Sequence, residues 1–279
     1  MKRLLIIDGH NLLFQMFFGM PSRIIGNKGQ AIQGVIGFVG ALNRLADMYH
    51  PTHLCVMFDG EKHNPRKDVL EEYKANRIDY SEVPEEENPF SQLPLIYEAL
   101  DYMGVKHMET TTCETDDVIA AYAVKYGGEC DVLISSFDSD YFQLINEKVK
   151  VIRYRGKCST LCDERYIREK YGISPSLYLD YKCLVGDTSD NIPGIRGIGP
   201  KTAAKLVNTY GEIESIVKRC EEIESEKIKV AIKEGVDILK RNMSLISLRG
   251  DAELPFTLDE IVFNNPYVRT MDVIRGIGH

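Results

Sequence analysis

Short apolar runs, each leading into an acidic residue, punctuate the first half of the chain. LLII at 4–7 ends in Asp8, HLCVMF at 53–58 ends in Asp59, and DVLISS at 131–136 runs through Phe137 to Asp138. Runs of this length between polar breaks suit strands buried on both faces of a parallel sheet. Between the first two, Ile32, Val35, Ile36, Val39, Leu42 and Leu45 recur at helical spacing, as do Leu93, Ile96, Tyr97, Leu100 and Met103 further on. Strands alternating with helices predict βαβ units and a doubly wound, mainly parallel α/β core. Periodicity fades between 60 and 90. There a basic stretch (Lys62, Arg66, Lys67, Lys74, Arg77) gives way to an acidic one (Glu82, Glu85, Glu86, Glu87) interrupted by Pro84 and Pro89. An irregular stretch this long inside a compact domain is usually functional or disordered. After about 172, short helical segments surround the Gly/Pro-rich NIPGIRGIGP at 191–200, which divides the chain into 1–172 and a helical subdomain, 173–279.

Composition narrows the class. A chain of 279 residues with 44% hydrophobic content buries a full core. It has no run of 18 uncharged apolar residues, so no membrane span is expected, and MKRLLIID meets Asp8 too soon for a secretory signal. Seven cysteines, an odd number with no C-x-x-C pair, read as reduced thiols of a cytoplasmic protein. Even the nearest pair, Cys158 and Cys162, lacks further ligands for a zinc site. The formal net charge of −8 argues, at face value, against nucleic acid as a partner.

The carboxylates change that picture. In open α/β sheets ligands bind at the carboxyl ends of the strands. Asp8, Asp59 and Asp138 all follow strands and so converge on one crevice, with Asp140 two residues beyond. Glu114, Asp116 and Asp117 precede VIAAYAV, in the first turn of a helix, where the macrodipole favours anions. Asp187 and Asp190 stand at the lip of the Gly/Pro hairpin. A lone strand-end aspartate is ordinarily a turn residue or a helix cap. Three sharing one edge are harder to explain so, because crowded carboxylates repel unless cations neutralise them. Oxygen-only ligation selects Mg²⁺ or Mn²⁺ over zinc, and such sites are typical of phosphodiester chemistry. No G-x-x-x-x-G-K-[ST] is present, which leaves nucleotide-driven phosphoryl transfer unsupported. His10, beside Asp8, is expected to make a local hydrogen bond and not to ligate metal.

With these residues assembled, the chain resembles the 5′-nuclease family, the flap endonucleases and the 5′–3′ exonuclease domain of bacterial DNA polymerase I. The resemblance rests on IIDGHNLL at 6–13, PTHLCVMFD at 51–59, YKANR at 73–77, ETDD at 114–117, DSD at 138–140 and GDTSDNIPGIRGIGPKTAAKL at 186–206. Nothing resembling a polymerase follows, so the likeness is to the free-standing bacterial form. It implies a PIN-like core with a helical arch at about 61–92 and a helix-three-turn-helix subdomain. It also implies two divalent ions. Asp8, Asp59, Glu114, Asp116 and Asp117 match positions nearer the first, and Asp138, Asp140, Asp187 and Asp190 those nearer the second. The chain departs from the family at Phe137 and Ser139, where Gly-Asp-Lys-Asp is usual, and at Thr115, where Ala is usual.

The implied activity is Mg²⁺- or Mn²⁺-dependent hydrolysis of DNA at 5′ ends, flaps or junctions, in replication and repair. Asp116, Lys74 and Arg77 are the candidate catalytic residues, the two cations as phosphate holders. Arg66 is a further candidate DNA contact, and Tyr73 a candidate base-stacking one. In the hairpin, Gly194, Gly197 and Gly199 are expected to let backbone amides approach phosphate, with Lys201, Thr202 and Lys205 extending that surface. This grips duplex DNA without reading its sequence. By resemblance, the carbonyls of Ile195 and Ile198 are candidates to hold K⁺. The charge objection shrinks, since setting aside the nine site carboxylates turns −8 into +1, and setting aside the four glutamates at 82–87 gives +5. A monomer is expected. Two other readings remain open: a non-catalytic protein that binds flaps or junctions, and a PIN-like ribonuclease.

Overall fold

The computed structural model describes residues 2–60, 65–264 and 268–279, with the Pro65 side chain excepted; Lys62 lies outside them. Its centre is a six-stranded sheet of β1 (Arg3–Asp8), β2 (His53–Asp59), β3 (Lys106–Thr110), β4 (Asp131–Ser135), β5 (Val149–Arg153) and β6 (Thr160–Cys162). The strand order is β3-β2-β1-β4-β5-β6, all parallel except for antiparallel β6 at one edge. Strand order reverses at β1, which makes the space beyond its carboxyl end the switch point of the sheet.

Alternation within β1 explains the two-sided core. Leu4 and Ile6 face a cluster with Ile119 and Tyr122 of α5 (Thr115–Tyr126), while Leu5 and Ile7 face Val35, Phe38 and Leu42. The last three lie on α2 (Gln33–Tyr49), which follows α1 (Gly9–Gly19). Each fully buried aliphatic side chain contributes roughly 1.5–3 kcal/mol by leaving water. All four β1 residues are 0% exposed, so the uninterrupted apolar run is what a sheet covered on both faces requires.

Where the sequence loses its periodicity the described residues form α3 (Pro65–Val69), a series of turns and a 3-10 turn at Pro89–Gln92 before α4 (Leu93–Tyr102). The helical arch expected at 61–92 is thus helical, among the described residues, only at α3 and in that short 3-10 turn. The segment lacks an apolar stripe for a longer helix to bury, and Tyr73 drops into the core instead, 2% exposed.

α6 (Glu164–Tyr171) ends on Gly172, whose φ of +71° suits glycine. Then come α7 (Tyr178–Val185), the short hairpin of β7 (Gly186–Asp187) and β8 (Ile192–Pro193), α8 (Pro200–Tyr210), α9 (Ile213–Lys218), α10 (Glu226–Glu234) and α11 (Val236–Ile246). The apolar cluster on the α5 face continues through Leu184, Ile195, Leu206 and Leu239, so one core crosses the point at 172. The last stretch returns to the first half of the chain. Phe263 N donates to the Thr52 carbonyl at 2.9 Å, and α12 (Thr270–Gly276) buries Val273 and Ile274 against the α2 face. All seven cysteines are free thiols, and no described helix is long and apolar enough to cross a membrane.

Candidate active site

Four carboxylates reach one cleft of about 430 Å³ at the switch point: Asp8, Asp59, Asp116 and Asp138. Asp8 closes β1 and caps α1, accepting from Asn11 N at 3.1 Å and from Ser136 Oγ at 2.8 Å. Burial, then the nearby charges of Asp116 and Asp59, push its carboxyl up to about 7 against those bonds. Asp59 ends β2 and accepts from Thr115 N at 3.1 Å, with His10 Nδ1 3.9 Å away. Burial opposes its ionisation, but hydrogen bonds with His10 and Thr115 hold it below the ordinary carboxylate range. Asp116, in the first turn of α5, accepts from the Tyr141 hydroxyl at 2.5 Å. Burial raises it, and Asp59 adds to this against Lys74. Asp138 follows β4, donates its own N–H to Ser136 Oγ at 3.0 Å, and accepts from Asp140 N at 2.8 Å. Burial, Asp140 and Asp116 drive it well above the usual range.

The other five acids are buried next to the cleft, each in an ion pair. Arg66 binds Glu114 and, at 2.9 Å, Asp117, while Lys74 Nζ lies 2.9 Å from Glu114. Lys182 bridges Asp140, at 3.1 Å, and Asp187. Burial, opposed by Lys182 and helped by Asp187, raises Asp140 to about 6. For Asp187 burial is outweighed by Lys182 and Ser189, which hold it low. Asp190 takes Arg77 at 2.8 Å and lies 4.0 Å from Lys74 Nζ. Among the described residues, no three His, Cys, Asp or Glu side chains are drawn close enough to hold an ion as they stand. The donor set nonetheless fits hard divalent cations. It is all oxygen, and three of the four cleft carboxylates are raised by burial and by each other, a repulsion such cations relieve.

Lys74 and Arg77 line the cleft beside Phe14, Tyr80 and Phe90, whose rings meet edge to face at 5.2–5.5 Å. His10 is edge-on to Phe90 and Phe58. Two expectations are corrected. Arg66 is 8% exposed and engaged with Glu114 and Asp117, so it ties acids together and does not present itself to DNA. Tyr73 offers no face for a base, because its ring is buried with the hydroxyl 3.5 Å from both Glu114 oxygens. At Gly194 a Cβ would lie 2.3 Å from the Val185 carbonyl carbon, so glycine there lets the hairpin pack closely on α7.

Gly197 has φ +88°, Gly199 precedes Pro200 at the start of α8, and Lys201 and Lys205 are exposed with Thr202 partly so. Ile195 and Ile198 bury their side chains, and the Ile195 carbonyl accepts Ile198 N at 3.0 Å. The family departures sit at the edge of the cleft, where Thr115 also bonds to Asp59. Phe137 lies against Arg155 with its N–H on Asn11 Oδ1 at 3.0 Å, and Thr115 Oγ1 meets Thr110 Oγ1 at 2.8 Å. Sequence reasoning missed Lys182, Ser136 and Tyr141. Lys182 carried a signal, a lysine inside the apolar run of α7 five residues before Asp187.

Two family models cover this chain almost end to end: the N-terminal resolvase-like domain of 5′–3′ exonucleases over residues 3–172, and their C-terminal SAM fold over 173–269. The thermostable DNA polymerase I of Thermus thermophilus is 34% identical over 92% of this chain, which spans 30% of that protein. The 5′–3′ exonuclease of Aquifex aeolicus is 33% identical over 95% of this chain and 88% of its own length. Among solved structures, a bacteriophage T5 flap endonuclease variant in a pseudo-enzyme–product complex with DNA and metal ions is 25% identical. It superposes with a TM-score of 0.73 over 88% of this chain and 89% of that one. With both family domains matched in order, and a free-standing relative matched along most of its length, the chain belongs to the 5′–3′ exonuclease family.

Proposed function

We propose that the chain is a divalent-metal-dependent 5′-nuclease that hydrolyses DNA phosphodiester bonds at 5′ ends, flaps or junctions, as 5′–3′ exonuclease and 5′-flap endonuclease. The observation that carries this reading is the single cleft lined by Asp8, Asp59, Asp116 and Asp138 with Lys74 and Arg77 at its side. Those four carboxylates would hold Mg²⁺ or Mn²⁺, with Glu114 and Asp117 supporting one side and Asp140, Asp187 and Asp190 the other. Bound there, such ions supply a more acidic water and neutralise charge developing on the phosphate. The protein's own groups do the rest. Lys74 and Arg77 offer donors to phosphate oxygens on moving off Glu114 and Asp190. Tyr141 and Ser136 fix Asp116 and Asp8. The aromatic wall of Phe14, Tyr80 and Phe90 offers apolar surface to a base.

Duplex is held at the start of α8, where the Gly199 and Pro200 turn, Lys201 and Lys205 face solvent and Thr202 does so in part. Hairpin carbonyls including those of Ile195 and Ile198 are the proposed K⁺ ligands. The free thiols support a cytoplasmic setting, and a monomer suffices since one chain supplies every named group. The test is a 5′-labelled flap duplex. Mg²⁺-dependent release of short fragments is expected, abolished by EDTA and in Asp116→Ala. Wild-type protein that binds the flap but leaves it intact with ample Mg²⁺ or Mn²⁺ would transfer the case to a binding module. Preference for an RNA flap over DNA would favour a ribonuclease.

A further inference from the structure

α11 and the turn after it line none of the cleft, yet they are bonded to both working ends of the molecule. Asn242, one turn before the end of α11, is 0% exposed. Its Nδ2 donates to the Pro193 carbonyl in the hairpin at 2.9 Å and to the Cys183 carbonyl in α7 at 3.0 Å. Cys183 follows Lys182, which binds Asp140 and Asp187. At the far end, Gln143 lies in the short helical turn that begins with Asp140. Its Nε2 donates to the Ile246 carbonyl at 3.1 Å and the Asp140 carbonyl at 2.9 Å, and its Oε1 accepts Leu248 N at 3.1 Å. The next residues reach the other acids. The Ser247 carbonyl accepts from Arg66 at 3.1 Å, and Arg249 N donates to Asp117 at 2.9 Å. One helical turn therefore joins the hairpin to both acid-bearing segments through amides that have few other arrangements open to them.

We propose that α11, through Asn242 and Gln143, acts as a spacer that sets which phosphodiester bond of a gripped duplex reaches the carboxylates. The proposal rests on the 5′-nuclease reading above. A grip on the backbone carries no sequence information, so the position of the cut follows from the fixed distance between grip and acids. Successive phosphates along one strand lie about 3.4 Å apart along the duplex axis, so slack of that order brings a neighbouring bond into place. Asn242 and Gln143 are positioning residues. Neither lines the cleft or the exposed start of α8.

The experiment compares wild type, Gln143→Met and Asn242→Ala on a 5′-labelled flap duplex in Mg²⁺, read at single-nucleotide resolution, with binding measured in EDTA. Gln143 is only partly buried, so its methionine variant keeps the test sound even if Asn242→Ala fails to fold. Wild type is expected to cut mainly one bond. Gln143→Met is expected to divide its cuts over two or three adjacent bonds, the main product falling by at least about half, with affinity within about twofold of wild type. A variant that is merely slower, or binds more weakly, while cutting at the same single bond overturns the proposal and leaves the nuclease reading intact. A wild type that binds without cutting overturns both.

Discussion

Arg66 shows how far a single residue's role depends on what surrounds it. Its guanidinium side chain is 9% exposed, and its partners Glu114 and Asp117 are 8% and 5% exposed. Removing the arginine takes the cation at 2.9 Å from buried Asp117 and one of the cations from Glu114, which keeps Lys74, and costs about 3–5 kcal/mol. Arg66→Met is therefore expected to lower the melting temperature by roughly 6 °C or more in a thermal melt, and a drop under about 2 °C would show that the pairing contributes little. Arg77 differs. Its side chain is 53% exposed, so Arg77→Ala is expected to leave the melt nearly unchanged while lowering flap cleavage by about 10²-fold or more. Equal cleavage by that variant would remove Arg77 from phosphate binding. The acids were legible in the sequence because residue type and strand-end position together restrict what they can do. Their cationic partners were harder to assign. Lys182 is marked only by its apolar neighbours and Arg66 stands in a basic stretch, and only the folded chain brings them to the carboxylates.

At the scale of elements, legibility followed how completely each is buried. β1, β2 and β4 stood out as unbroken apolar runs, and α2 and α4 as helical stripes, because each is enclosed by the core on one or both sides. β3 escaped notice because KHMET, at the sheet edge, is largely exposed, and so did the three-residue β6 at the opposite edge. Between β2 and α4 the resemblance implied a helical arch, and among the described residues α3 is five residues long and is followed by turns that line the cleft at Lys74, Arg77 and Tyr80. α8 was legible from its own punctuation, glycines and Pro200 ahead of an apolar stripe, because the turn chemistry is local. Its exposed start yields a test of the duplex grip. Removing one phosphate-binding cation reduces the slope of log K against log salt by about 0.9, so replacing both Lys201 and Lys205 with Ala should flatten it by roughly 2. Stability should hardly change, since both side chains are exposed. An unaltered slope would place the duplex elsewhere.

For the molecule as a whole, gathering so many acids at one sheet edge opposes folding unless cations or protons offset it. Asp8 is pushed up to about 7 and Asp140 to about 6, from an ordinary value of 3.8, and Asp138 also lies well above it. Between the unfolded and folded values the folded chain holds protons that the unfolded chain has released. Stability of the metal-free protein therefore falls as pH rises through that window, by up to about 1.4 kcal/mol per pH unit for each such group. Asp59 and Asp187 are shifted the opposite way, so their stabilisation is complete above about pH 4 and is lost only in stronger acid. Within the window His53, depressed by burial and Lys2, opposes the several raised carboxylates, which outnumber it. Divalent cations bind the deprotonated set, and a ligand held by the folded form alone stabilises it by RT ln(1 + [L]/Kd). Urea melts in EDTA should show lower stability at pH 7 than at pH 5. Millimolar Mg²⁺ should add more at pH 7 than at pH 5, because protons no longer compete for the same oxygens. Stability in EDTA that rose across this interval, or a Mg²⁺ increment equal at both pH values, would mean that the crowded carboxylates do not govern the protein's ion linkage, and the cleft would lose its claim to be where the metal binds.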